Sequence, residues 1–405
     1  MKETKTMGKK GTLNKRVGDT FSDREKVSLS ELFASFMNTL MEEDRKRFLQ
    51  TARLAGNQDR ANGFYNRFLP SAYGIAELAV PRTRSGAFRP YILPEKWKRI
   101  PQEIENLVLA ALASGVNRRQ IGETLKSIGI PVSEQIIDQF EQDCMEYFKW
   151  LNESALPESA VQLIMDAKQV EVKCEDKISL VTVYLAALVD FDYKRRVCGC
   201  MITFSKENER DWVTFLAKLV NRGLKRVLVI TSDAFAGIQN ATNAIYRSSL
   251  HQFCWAHLKR NVMRNMEKKD ARAFSVDLEQ VKHAVDYQSA TAVFESLLKK
   301  YNTKYSNFID SLKKHQEQYL AFTKFPYSVR KYIYTSNLAE GVNNAIERKR
   351  KDVAGYFRSV DHLKIALTLV AKHLHSGKWC KPHPHFKACD YELRQMFFLI
   401  YGVEP

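Results

Sequence analysis

The order of strand-like and helix-like stretches between Ser159 and Phe253 constrains this chain more than any other feature. Three apolar, β-branched runs, SAVQLIMDAKQVEVK, ISLVTVYLAALVDF and KRRVCGCMITF, follow one another at hairpin spacing. An amphipathic stretch NERDWVTFLAKLVNRGL comes next, then a short apolar run RVLVITSD, a helix and SLHQFC. A β-β-β-α-β-α-β order calls for a mixed sheet flanked by helices. From about Leu258 to Tyr334 the pattern turns all-helical and Lys-rich, as an insertion would, and further helices run from near Ser336 to the C-terminus.

The order is that of an RNase H-like layer, so the fold class expected is α/β: an RNase H-like mixed sheet with an all-α insertion. An α-rich N-terminal DNA-binding region with a β-hairpin precedes it. Expected boundaries are 1–28 for a basic flexible tail, 29–100 for helices plus a basic hairpin arm, and 101–155 for a helix-turn-helix-like region. The core would occupy 156–257 and 335–405, with the insertion at 258–334. The chain carries 63 Lys and Arg against 46 Asp and Glu, a net charge of +17, and such an excess points first to nucleic acid. The longest apolar stretch, Leu180 to Val189, is about half of what a membrane-spanning helix needs, and the N-terminal residues lack the apolar core of a secretory signal. A cytoplasmic, DNA-associated protein is expected, with its 7 cysteines as reduced thiols.

In the N-terminal part, SELFASFMNTLMEEDRKRFLQTARLA should form one or two amphipathic helices. Gly74 to Leu93 reads as a hairpin turning at Ser85 and Gly86, from which Arg82, Arg84 and Arg89 project, with Lys96, Lys98 and Arg99 close behind. Such a run suits a phosphate-contacting arm or simply a solvated surface. Three helical segments follow, and the last two, joined by a short turn whose Ser133 can cap the next helix, outline a helix-turn-helix. Its second helix carries Glu134, Asp138, Glu141, Asp143 and Glu146, which would repel phosphates, so base reading stands beside plain packing or dimerisation.

Phosphodiester chemistry needs hard divalent ions held by oxygen ligands. Asp166 lies inside the apolar strand QLIMDAKQV, where an unpaired charge is costly and calls for a partner or a metal. Asp233 ends VLVITSD, although it could also cap the following helix. In the order above, the first and fourth strands are neighbours, so these acids could flank one pair of ions. A third would come from YTSNLAEGVNNAIERKRK, where Asn337, Glu340, Asn344 and Glu347 share a helical face. Glu340 and Glu347 are rivals; Glu340 lies nearer the cap, whereas Glu347 adjoins Arg348, Lys349, Arg350 and Lys351. Cys254 and His257 form a C-x-x-H pair without an equally convincing second pair, and His373, His375, Cys380, His383, His385 and Cys389 match no standard zinc spacing. Cys198 and Cys200 alternate along a strand as packing residues.

Taken together, CWAHLKRNV after an Asp-ending strand, TSNLAEGVNNAIERKRK, and NGFYNRFLPSAYGIAELAVPRTRSGAFRPYILP followed by LIMDAKQVEVK resemble the Mutator-type insertion-sequence transposases of prokaryotes, a DDE family. The resemblance runs from about Gly63 to Arg358. It implies Asp166, Asp233 and Glu340 as catalytic, metal-binding acids, Cys254 and His257 as the family's C-x-x-H signature, and a helical insertion between the second and third acids. The chain departs from the common pattern at Lys168 and Gln169, where the family has Thr and Tyr, and at Ala234, where it has Gly. The implied function is a DNA transposase that binds its element's ends and performs Mg²⁺- or Mn²⁺-dependent strand cleavage and transfer with two ions. Its partner would be double-stranded DNA, contacted by Arg82, Arg84, Arg89, Lys259, Arg260 and the Arg348–Lys351 run, within a homodimer or larger assembly and away from membranes. The alternatives are a non-enzymatic DNA-binding regulator and a structure-selective nuclease or resolvase on the same fold.

Overall fold

A computed structural model describes residues 28–71, 74–93, 102–128, 130, 132–175, 177–352, 355–377 and 379–405. The basic tail up to residue 27 and Lys96, Lys98 and Arg99 lie outside the described residues. The chain divides into two compact units, one of residues 1–111 and 116–140 and the other of 112–115 and 141–405.

In the first unit the helical periodicity after Ser28 yields a single long helix, α1 (Leu29–Leu54), started by a capping box in which Ser28 and Glu31 exchange hydrogen bonds. Two strands, β1 (Ala61–Ser71) and β2 (Gly74–Thr83), pair antiparallel, and Leu69, Ala76, Leu78 and Val80 pack on Ala34, Met37 and Met41 of α1. The hairpin therefore sits one strand earlier than the sequence suggested. Ser85 and Gly86 form a turn after β2 that leads into no second strand among the described residues up to 93, since Pro90 lacks a ladder donor and the Asp59 carboxylate captures the Ser85 amide (3.0 Å) and hydroxyl. Arg82, Arg84 and Arg89 are exposed, with the Arg82 guanidinium over the Tyr65 ring at 5.9 Å. Three helices follow: α2 (Gln102–Ala113), α3 (Arg118–Ser127), capped by Asn117, and α4 (Glu134–Glu153). Asp138, one of the acids of α4, pairs with Arg118 of α3 at 2.8 Å, and α4 runs through the division between the two units.

The second unit is built on five strands: β3 (Ser159–Cys174), β4 (Lys177–Val189), β5 (Arg195–Thr203), β6 (Arg226–Ser232) and β7 (Leu250–Phe253). Their spatial order is β5-β4-β3-β6-β7; β3-β4 and β4-β5 are antiparallel, and β3-β6 and β6-β7 parallel. The parallel joints need crossovers, supplied by α5 (Glu209–Asn221) and α6 (Ala236–Ile245). Trp212, Phe215, Leu216 and Leu219 of α5 pack on one face of the sheet. Beyond β7 the chain is helical: α7 (Trp255–Asn265), α8 (Lys268–Lys282), α9 (Tyr287–Asn302), α10 (Ser306–Lys314), α11 (Gln316–Leu320), α12 (Tyr327–Ile333) and α13 (Asn337–Asp352). Helices α14 (Val360–Ser376), α15 (Pro384–Lys387) and α16 (Asp390–Tyr401) complete it. Among the described residues no helix is long and apolar enough to cross a membrane.

Buried polar groups return the long helical excursion to the sheet. Gln162 of β3 donates to Thr231 of β6 and to the Tyr332 carbonyl, and Thr231 donates to the Ile333 carbonyl, all at 2.9 Å. The Gln252 side chain accepts from the Phe322 amide, and the Trp255 amide donates to the Tyr334 carbonyl. Each group would cost free energy if left unpaired, so the bonds hold the chain entering α13 against the ends of β6 and β7. Past α13, Phe357 bridges to Val172 of β3, fixing the far end.

Candidate functional site

Strand register brings the acids together. Ile164 pairs with Thr231 in the parallel β3-β6 ladder, so Asp166 and Asp233 each lie two residues further along neighbouring strands. Ser232 pairs with Phe253, which makes Cys254 the residue level with Asp233 on the other side. Helix α7 starts there and places His257 one turn on. Helix α13 and the segment after it lie along the second half of β3: Asn343 reaches Asp166, Glu347 reaches Lys168, and, past the helix, Phe357 reaches Val172.

Asp166 is 8% exposed, and its carboxylate accepts a hydrogen bond from Asn343 Nδ2 at 2.6 Å. Burial pushes its carboxyl up to about 6, the His257 ring and Asn343 pull it back, and the charges of Asp233 and Glu340 push it further up. Burial also raises the Asp233 carboxyl, again opposed by His257 and by the Phe235 amide, which donates to it at 3.3 Å. A further carboxylate, Glu207, stands in the loop between β5 and α5. Trp212 Nε1 donates to it at 2.9 Å, and burial, with the charges of Asp233 and Asp166, raises its carboxyl.

Glu340 lies in the first turn of α13 and accepts from Arg260 at 2.7 Å. One of its oxygens, the Cys254 sulfur and a His257 ring nitrogen all lie within 4.8 Å of one another, and among the described residues this is the group of three ligating side chains that gathers so closely. Asp166 and Asp233 stand beside it as the second part of the cluster. Cys254 Sγ accepts from the Ser336 hydroxyl at 3.1 Å and amide at 3.4 Å. Against the opposing effect of burial, His257 and Ser336 draw the Cys254 thiol below its ordinary value, and Cys254, Asp166 and Asp233 raise His257.

The rival acid, Glu347, is bound to Arg350 at 2.7 Å and Lys168 at 3.1 Å, which hold its carboxyl down near about 2. Arg350 also pairs with Glu171 at 2.8 Å and donates to the Gly355 carbonyl, so it serves the fold. Lys259 pairs with Glu279. Arg348 and Lys351 are exposed, and Lys349 is half-buried. Asn344, assigned from spacing to the acid-bearing face, is exposed; its neighbour Asn343 is the buried contact. The His and Cys residues near the C-terminus disperse: His375 bonds Tyr147 and the Val197 amide, Ser328 bonds Cys389, and His383 packs edge-to-face with Tyr332. Cys198 and Cys200 are buried packing residues, and none of the 7 cysteines forms a disulfide.

Sequence reasoning missed Asn343 and Glu207. Asn343 left a signal, because Glu340, Asn343 and Glu347 are spaced by three and four along one helix. Glu207 left none, since its place follows from a loop.

The molecule is thus an α/β protein with acidic groups gathered where its central parallel strands end. The chain belongs to the Mutator family of transposases: the family described as "Transposase, Mutator family" matches residues 5–381. It is 24% identical to the transposase for insertion sequence element IS905 of Lactococcus lactis subsp. lactis, over 92% of this chain and 96% of that protein. It is 27% identical to the transposase for insertion sequence element IS256 in transposon Tn4001 of Staphylococcus aureus, over 82% of this chain and 86% of that one. With the transposase for insertion sequence element IS1081 of Mycobacterium tuberculosis it shares 26% identity, over 74% of this chain and 72% of the relative.

Proposed function

We propose that this protein binds the ends of its own insertion sequence and cuts and joins DNA there by metal-dependent DDE chemistry on an RNase H-like core. One observation carries the reading: in a chain of the transposase family, Asp166 of β3 and Asp233, one residue past the end of the adjacent parallel strand β6, stand side by side, with Glu340 near enough to repel Asp166. The strand order, antiparallel among β3, β4 and β5 and parallel from β3 to β7, supports the core assignment. DNA as partner, a multimeric assembly and a DNA-binding role for the N-terminal helices belong to the same proposal.

The residues fit hard divalent ions. Two partly or fully buried carboxylates repel one another, offset chiefly by the His257 ring, and this excess negative charge suits Mg²⁺ or Mn²⁺. Asp166 and Asp233 would hold the ions with Glu340. Bound there, the ions supply Lewis-acid activation of water and of the freed 3′-hydroxyl. The chain's own work is to hold the ligands in place: Asn343 fixes the Asp166 carboxylate, and Arg260 pairs with Glu340 at the start of α13.

The test is an in vitro joining assay on duplexes bearing the element's ends. Asp166→Asn and Glu340→Gln should each lower cleavage and joining by at least about a thousandfold, the scale of losing a major charge-stabilising group, while end binding stays within about twofold. Unchanged joining in Asp166→Asn overturns the assignment. Wild-type protein that binds ends but cuts nothing with Mg²⁺ or Mn²⁺ would be a regulator, and cutting of branched junctions without end sequence would make it a resolvase.

A further inference from the structure

Cys254, His257 and Glu340 offer a thiol, an imidazole and a carboxylate, a donor set unlike the oxygen-only one that magnesium prefers. Mixed sulfur, nitrogen and oxygen ligands select borderline ions such as Zn²⁺. Three protein ligands with a fourth position left to water or substrate is the arrangement of an open zinc site.

The three come from separate parts of the chain but are placed by the same contacts. Cys254 follows β7, where its amide donates to the Ser232 carbonyl at 2.7 Å, and His257 lies three residues on in α7. Glu340 arrives on α13, whose entry is tied to Cys254 by Ser336. Their ligand atoms already lie within 4.8 Å of one another, so modest side-chain rotation would close them around one ion. His257 Nδ1 is buried without a hydrogen-bond partner, a cost that coordination through that nitrogen would remove. The Ser336 hydroxyl and amide supply outer contacts that orient the sulfur.

We propose that Cys254, His257 and Glu340 form a site for a divalent transition-metal ion of the zinc type, beside the pair Asp166 and Asp233 and different from it in chemistry. Glu340 is shared between the two donor sets. If the DDE reading holds, an ion on Cys254 and His257 withdraws Glu340 from Asp166 and Asp233, and Zn²⁺ restrains strand joining.

The probe is Co²⁺, added to full-length protein previously stripped with a chelator. The expected result is a thiolate-to-cobalt charge-transfer absorption and strong tetrahedral d–d bands that saturate at a single equivalent, reversed by Zn²⁺ and untouched by Mg²⁺. Cys254→Ser should abolish the charge-transfer absorption. Glu340→Gln and His257→Ala should keep it but weaken Co²⁺ binding roughly tenfold or more. Cys380→Ser, which removes an exposed thiol elsewhere, should change nothing. Absence of the absorption in wild type, its survival in Cys254→Ser, or full affinity in Glu340→Gln each overturns the site. Circular dichroism checks the fold of each variant, and if Cys254→Ser fails to fold, the Glu340→Gln titration decides. A missing cobalt signal with intact Mg²⁺-dependent joining removes this site alone. A cobalt signal that passes these tests, in protein that joins no ends with Mg²⁺, leaves the site standing and removes the DDE reading.

Discussion

Asp166 carries a charge whose cost to the fold depends on pH. Its carboxyl titrates near 3.8 when exposed and at about 6 when folded. Between those values folding takes up a proton. Above both, the ionised group is buried, at a cost of about 3 kcal/mol for a shift of this size. In metal-free protein Asp166→Asn should therefore raise the melting temperature at about pH 8. The gain should shrink as pH falls through about 6 and vanish below about 4, because there the wild-type carboxyl is protonated in both states. Thermal melts in chelator across that range check it. Protons compete with metal for the same oxygens, so Mg²⁺-dependent joining should weaken as pH falls into the range where these carboxyls take up protons.

At the scale of elements, α13 decides the site because it presents Asn343 and Glu340 on one stripe while Lys168 and Arg350 absorb Glu347. A hydrogen bond to a charged group is worth about 1.5–3 kcal/mol. Asn343→Ala should accordingly slow joining roughly tenfold to a hundredfold and move the acid limb of the pH profile upward, since Asp166 loses a contact that favours its ionised form. Single-turnover rates over a pH series give the result; an unmoved acid limb with unchanged rate would show that Asn343 leaves Asp166 unaffected. Periodicity made the helix itself legible and put the acids on one face. It chose Asn344 over Asn343 because a step of four and a step of three from Glu340 are equally helical. The hairpin was misplaced for a related reason: β1 and β2 both look like strands, but only Asp59 capturing Ser85 shows where the chain stops pairing.

For the molecule as a whole, the net charge of +17 means that the proposed affinity for DNA should be salt-dependent. The basic residues are not equivalent, however. Arg350 and Lys259 are held in ion pairs within the chain, as is Arg260 on Glu340, while Arg348 and Lys351 are exposed on α13. Arg348→Ala and Lys351→Ala should each lower the slope of log affinity against log salt by about one, the mark of a lost phosphate contact. Arg350→Ala should instead lower thermal stability, because it strips Glu347 and Glu171 of a shared partner. Binding isotherms at several salt concentrations, with parallel melts, separate the two behaviours.

By itself the sequence determined the strand and helix order from β3 to β7, the basic charge, the helical stretch after β7 and the acids worth watching. These follow from local periodicity and from the cost of placing Asp166 in an apolar strand. Only the tertiary structure decided that Asp166 of β3 stands level with Asp233 and Cys254, just past the ends of β6 and β7, that Asn343 turns inward, and that Glu340 meets both His257 and Arg260. Register and helix rotation are set by long-range pairing, here the buried bonds of Gln162, Thr231, Gln252 and Ser336. Residues up to 170 positions apart satisfy one another in those bonds, and no local pattern encodes which will meet.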